Sequence, residues 1–427
     1  MSKFLLGSST ASHQVEGNNI HSDYWAMEHM ETTSFNEPSL DAVDHYHHYE
    51  EDIRLMAKAG LNAYRFSIEW ARIEPKQGVY DEKEVEHYKD MIACCKKNGI
   101  EPIVTLHHFT SPKWTIEQGG WEEEKIADFF ASYVSYVTEK ILKGNVHYVC
   151  TINEANMGIQ VAEIAKRYKA QMMAQMGKRN VEGQAQVGMN FNAMMEKMAK
   201  NREENLKVFG TDNPQVFVSS RTPNGDLIVM KAHEKARKAI KEIDPSIQVG
   251  LTLSLHDIQV LGGGDVEAKK AWEDEFTHYL PFLKKDDFLG VQNYSRAIYG
   301  PRGLIPSDPS KDKVTQMGYE NYPEALGHVI QRVHKELGLP IIVTENGIAT
   351  ENDEERVVFI QKALKGLEEA REAGANVLGY FHWSFLDNFE WQKGFSMRFG
   401  LVSVDRKTMV RTPKESLFVL GSFAKKL

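Results

Sequence analysis

Apolar runs alternate with amphipathic stretches along almost the whole chain. Short runs rich in β-branched and apolar residues occur at positions 4–7, 63–68, 101–107, 148–153, 249–255, 288–294, 341–345 and 377–383, and each reads as a buried strand. Helical periodicity marks 49–59, 82–97, 126–142, 227–243, 322–337 and 355–373 between them. Gly60, Gly99 and Gly374 follow three of these stretches, where a residue tolerant of left-handed backbone ends a helix. Strand then helix, repeated around the chain, predicts an α/β fold: a single (β/α)8 TIM barrel. A doubly wound sheet is the rival. It would want a Gly-rich phosphate turn after the first strand, and residues 4–9 supply none.

One interval breaks this rhythm. Between Glu154 and Val249 lies a helical, Met-rich segment from Met157 to about Phe209, followed by turn-forming stretches at 210–214 and 222–225. Whatever follows a barrel strand sits at the catalytic mouth. Residues 157–230 are therefore expected to cover that mouth as an insertion, with 1–427 forming one domain. Met172 and Met176, then Met194 and Met198, recur at i,i+4 and predict apolar stripes of a packed helical hairpin. A sharper reading has these thioethers accept apolar leaving groups beside a site.

Two of the strand-like runs end unusually. Thr151-Ile152-Asn153-Glu154 and Ile341-Ile342-Val343-Thr344-Glu345-Asn346-Gly347 each deliver a carboxylate, beside an Asn, at the strand tip. A charge at a tip, rather than alternating along a face, is presented to a pocket. Two such carboxylates from remote strands are sufficient for splitting a glycosidic bond, one as proton donor and one as nucleophile or base. The plainer reading of either Glu alone is a strand-end ion pair, for example with Arg65.

Composition narrows the classes. A net charge of -9 argues against nucleic acid as a partner, because phosphate binding needs a basic surface. Apolar runs of membrane-spanning length are absent from the sequence, so no membrane partner is expected. The opening residues hold one Lys and a very short apolar run, unlike a secretion signal, and three cysteines cannot build a disulfide framework; a cytoplasmic protein is expected. Adjacent Cys94 and Cys95 read as inert thiols on a helix. His45, His47 and His48 invite a metal reading, but no closing ligand set accompanies them, and a structural role is expected, with no metal and no cofactor.

Several motifs, in order, resemble glycoside hydrolase family 1, the β-glucosidase-like retaining glycosidases. They are residues 7–17 (GSSTASHQVEG), 44–52 (DHYHHYEED), Tyr64-Arg65-Phe66-Ser67-Ile68, Thr105-Leu106-His107-His108, Asn153-Glu154, Thr344-Glu345-Asn346-Gly347 and residues 383–391 (WSFLDNFEW). The resemblance implies Glu154 as acid/base and Glu345 as nucleophile, with Arg65 keeping Glu345 ionised and Tyr294 orienting it and lowering its pKa. It implies sugar contacts from Gln14, His108 rather than His107, Asn153 at the 2-hydroxyl, Trp383 as the stacking floor, and Glu390 and Trp391 at the 4- and 6-hydroxyls. It also implies a sugar contact from Gln292, which stands where the family pattern carries Asn, one methylene shorter. At Glu390 the phospho-sugar branch would carry Ser and Lys, and a carboxylate would repel phosphate. The expected activity is a retaining, exo-acting β-glycosidase on small-molecule β-glycosides, β-glucosides first, with β-galactosides and β-fucosides within reach. A 6-phospho-β-glycosidase and an inactive carbohydrate-binding barrel are the alternatives.

Overall fold

The computed structural model describes residues 3–179 and 191–425. Among them, eight parallel strands close into a barrel whose neighbours follow chain order: β1 (Leu5–Ser9), β2 (Ala63–Ser67), β3 (Glu101–Thr105), β4 (Tyr148–Cys150), β5 (Gln248–Ser254), β6 (Phe288–Gln292), β7 (Ile341–Asn346) and β8 (Val377–Trp383). β8 returns to β1 with Leu5 opposite Gly379 and Ser9 opposite Trp383, so no sheet edge is left in the barrel. The fold class expected from the alternation is thus the one observed.

Helices ring the barrel. α1 (His45–Ala59), α2 (Glu82–Lys97) and α3 (Lys125–Val137) follow the first three strands, and α3 runs on into a π turn, Thr138–Leu142. Gly60 ends α1 at φ 98°, a conformation that an L side chain would strain. The long interval after β4 holds α4 (Met157–Arg179), α5 (Phe191–Phe209) and α6 (Pro223–Ile243), the last capped by the Thr222 hydroxyl and packed against α3. The side chains of Met172, Met176 and Met194 lie outside the described residues; Met198 is exposed, so it forms no part of a packed stripe. α7 (Asp265–Glu275) follows β5, and α8 (Ala325–Leu337) and α9 (Asp353–Glu372) flank β7.

The barrel interior is filled from one end. Leu5, Ala63, Ile103, Cys150, Phe288, Ile342 and Phe381, from seven different strands, form one buried cluster inside the ring. Cys95 is likewise buried and Cys94 half-buried, both on α2, as expected of inert thiols. Of the histidines at the start of α1, His45 is buried between Asp52 and the Tyr64 hydroxyl, whereas His47 and His48 pair with Asp44 and Glu51 at the surface. No helix among the described residues is long and apolar enough to cross a membrane.

Candidate active site

β4 is shorter than its apolar run. The regular strand ends at Cys150, but backbone hydrogen bonds to β5 continue through the Thr151 amide to the Gly250 carbonyl (3.0 Å) and the Thr252 amide to the Ile152 carbonyl (3.3 Å), as far as Glu154, which adopts φ 43°, a left-handed conformation costly for a residue with a Cβ. It is held there by hydrogen bonds to both sides. The Asn153 amide donates to the His107 carbonyl (2.8 Å), the Ala155 amide to the Thr252 carbonyl (3.0 Å), and the Glu154 amide to the Thr252 hydroxyl (2.9 Å). On β7, register shifts against β6 between Val343 and Glu345, which sets Glu345 opposite Gln292. Such a bulge re-aims the side chain that follows it.

The two tips meet one buried polar core. Arg65, fully buried on β2, donates from Nη1 to Glu345 Oε1 (2.7 Å) and from Nη2 to Asn153 Oδ1 (2.6 Å). Gln292 Nε2 bridges the same two residues, at 2.9 Å to Glu345 Oε1 and 2.6 Å to Asn153 Oδ1. The Tyr294 hydroxyl donates to Glu345 Oε2 at 2.6 Å. The extra methylene of Gln292 therefore spans two acceptors. Glu345 is gripped by three donors, whereas Glu154 has no ion pair among the described residues.

That asymmetry separates the two carboxyls. Burial pushes the Glu154 pKa well above the usual carboxylate range, and the negative charge of Glu345 adds to it; Arg65 and the Ser254 hydroxyl oppose. Burial also raises Glu345, against the pull of Arg65 and the Tyr294 hydrogen bond. The Tyr294 hydrogen bond thus lowers the Glu345 pKa as expected, but burial of the carboxylate outweighs it and the net shift is upward. Those donors still make Glu345 the first of the pair to ionise.

The amide and imidazole orientations follow from obligatory donors and acceptors. Gln14 Nε2 faces the Phe389 carbonyl (2.8 Å), which can only accept, and Glu390 Oε2 (3.2 Å). Gln14 therefore has only its carbonyl left for a ligand, and that buried oxygen has no partner. Asn153 Oδ1 is saturated by donors, so its Nδ2 donates to His108 Nε2 (3.1 Å). Burial, then Arg65 and His107, depress the His108 pKa and keep the ring neutral, which places its proton on Nδ1, a buried atom without a partner. His107 instead turns to Ser111 and packs on Trp121 and Phe217. Trp383 and Trp391 stack on the His108 ring at 5.6 Å and 6.2 Å. Burial and the charge of Glu345 push Glu390 up to about 8, against the pull of the Gln14 amide, which favours its protonated form at neutral pH. The repulsion of phosphate expected from a Glu390 carboxylate is correspondingly weak.

Glu154, Glu345, Asn153, His108, Tyr294, Trp383, Glu390 and Trp391 line one cavity of about 320 Å³. Gln14, Arg65 and Gln292 stand behind that wall and reach it through the contacts above. The described lining includes Ser254, His256, Met317 and Tyr319, which the sequence reading missed, and no Lys or Arg. Ser254 and His256 were discoverable as the tip of the fifth strand, where a barrel places functional groups. Tyr319 lies on an irregular loop with no such signal.

Residues 1–207 and 292–426 match the model of glycosyl hydrolase family 1. The chain belongs to that family. It is 39% identical to a β-glycosidase of known crystal structure, BGL167, over 99% of this chain and 96% of that one, with a TM-score of 0.86. It is 28% identical to β-glucosidase A of Acetivibrio thermocellus, covering 97% of this chain and 95% of the relative. It is also 27% identical to a 6-phospho-β-galactosidase of Lacticaseibacillus casei over 97% and 95% of the two chains. Family membership makes the protein a retaining β-glycosidase of the β-glucosidase type.

Proposed function

We propose that the enzyme removes terminal non-reducing β-D-glucosyl units from small glycosides, with Glu345 as nucleophile and Glu154 as acid/base. The observation that carries this reading is the asymmetric pair: one carboxylate held by Arg65, Gln292 and Tyr294, the other kept protonated across the same cavity. Glu345 attacks the anomeric carbon while Glu154 gives its proton to the departing glycosidic oxygen. The ester so formed removes the Glu345 charge, the Glu154 pKa falls, and Glu154 then takes a proton from the water that cleaves the ester. Two displacements at one carbon retain the β configuration.

The sugar would lie on Trp383, with hydroxyls meeting the free Gln14 carbonyl, His108 Nδ1 and Glu390, and Trp391 beside them. Asn153 would face the 2-hydroxyl. An axial 4-hydroxyl costs one or two hydrogen bonds, about 1–3 kcal/mol, so galactosides and fucosides are slower rather than excluded. Support for an unphosphorylated sugar comes from the lining, which offers a phosphate no Lys or Arg among the described residues. Residues 157–230 would cap the mouth within a single domain 1–427; Met157, Gln160 and Val218 on the cavity wall support this. A reducing, cytoplasmic setting suits the free thiols Cys94, Cys95 and Cys150.

The test is a panel of nitrophenyl glycosides with product anomers followed by NMR. β-Glucose as first product from the glucoside is expected, and an α-anomer would rule out double displacement. Faster turnover of 6-phosphorylated glucoside would favour a phospho-glycosidase, and glucose binding without hydrolysis an inactive barrel.

A further inference from the structure

Glu154 sits in a left-handed turn, and much of what holds it there comes from β5. Thr252 and Ser254 stand two residues apart on that strand and so face the same side. Thr252 meets the backbone of Glu154, its hydroxyl accepting from the Glu154 amide at 2.9 Å. Ser254 meets the side chain, its hydroxyl hydrogen-bonding the Glu154 carboxyl on the wall of the shared cavity. One strand therefore grips one residue at both ends.

Ser254 is itself fixed. Asn156, fully buried, accepts from the Ser254 amide through Oδ1 (3.0 Å) and donates from Nδ2 to the Ser254 carbonyl (2.7 Å). The same Nδ2 donates to the Glu275 carbonyl at the end of α7 (2.9 Å). Gln160 Nε2, in the first turn of α4, adds a second donor to the Ser254 carbonyl (2.9 Å). Asn156 thus staples the segment that follows Glu154 back onto β5. With both main-chain groups of Ser254 engaged, its hydroxyl is left to Glu154.

The chemistry suits a group that must be acid and then base. Glu345 is gripped by three donors, one of them a guanidinium, which favour its charged form. A hydroxyl is neutral and pulls far less, so Glu154 keeps its proton for the leaving group. We propose that Ser254 is a positioning residue for the acid/base: by donating to one Glu154 oxygen it aims the other at the glycosidic oxygen, and it then holds the carboxylate that takes a proton from water. This rests on the assignment of Glu154 above and names the group that holds it through both steps. The charged and titratable groups facing Glu154 are Glu345 on β7, Arg65 on β2, Glu390 after β8, and Tyr294 and Tyr319 after β6. His256, paired with Glu275, lies on the same cavity wall. S254A changes none of them.

The experiment records kcat/KM against pH for S254A, S254C and S254T with nitrophenyl β-glucoside, and kcat for dinitrophenyl β-glucoside with and without azide. Removing a contact that favours the charged form should move the basic limb, which reads Glu154, up by about one unit in S254A while the acid limb stays. S254C keeps the volume with a weak donor and should behave like S254A, whereas S254T returns a hydroxyl and should restore the limb. Dinitrophenolate leaves without a proton, so kcat for that substrate reads the step in which Glu154 is base. It should fall about tenfold at neutral pH in S254A, and azide, which needs no base, should restore it. A basic limb unmoved in S254A and S254C, or a fall in kcat that azide does not reverse, would overturn the proposal and leave Ser254 a packing residue. A basic limb that persists in E154Q would instead refute the acid/base assignment itself.

Discussion

Replacing Glu345 by Gln should lower the pKa of Glu154 without touching Glu154. Burial and the Glu345 charge are the two leading causes that hold Glu154 protonated, and the substitution removes only the second. Two carboxylates in a retaining site stand about 5 Å apart. At an effective dielectric constant of about 20, unit charges at that distance interact by about 3 kcal/mol, or roughly two pKa units. Arg65 retains its positive charge and loses its anionic partner, which pulls Glu154 further in the same direction. The burial contribution persists, so Glu154 should settle above an ordinary carboxyl, not at it. Carbon-13 NMR titration of Glu-labelled protein reads this directly, since the variant cannot turn over. A fall of roughly one to three units is expected. An unchanged Glu154 titration would refute the coupling, and with it the account of how one residue serves as acid and then as base.

Other expectations follow from the same geometry. Glu345→Gly should abolish hydrolysis, while azide restores turnover of activated glucosides with the α-glucosyl azide as product; retained activity without azide would mean another nucleophile. Tyr294→Phe removes a 2.6 Å hydrogen bond that lowers the Glu345 pKa, so the acid limb of the kcat/KM profile should move to higher pH. The rate should fall by about ten- to a hundredfold, the cost of one hydrogen bond to a charged group, and an unmoved acid limb would contradict the assignment. Because activity needs Glu345 ionised and Glu154 protonated, and both are raised, the bell should sit at higher pH than two ordinary carboxyls would give. Arg296→Ala breaks the paired contacts (2.7 and 2.8 Å) to Glu320, next to cavity-lining Tyr319. It should raise KM for aryl glucosides several-fold with little change in stability; a urea midpoint shift without a KM change would point to a merely structural clamp. Away from the site, Asp52 is buried between His45 and Arg411, and these partners outweigh burial and hold its pKa below the usual value. Asp52→Asn should cost about 3–5 kcal/mol in urea unfolding. The wild-type contribution of Asp52 should be present above pH 3.8 and lost as pH falls through the lower folded pKa.

The barrel was legible in the sequence because its signal is local. Strands buried on both faces read as unbroken apolar runs, and the helices between them carry their period in each stretch. Glu154 and Glu345 were legible as a pair, since one carboxylate ending such a run reads as a strand-end ion pair but two, each beside an Asn, point to a shared pocket. What the run of residues 148–153 could not show is the left-handed turn at Glu154, because that turn depends on hydrogen bonds from neighbouring strands. The sign of the Glu345 shift, the protonation of Glu390 and the single free carbonyl of Gln14 were equally hidden. Each is a competition between burial and partners brought from remote parts of the chain. Tyr319 and His256 belong to that class too, for a cavity is the space left between elements and no one segment encodes it.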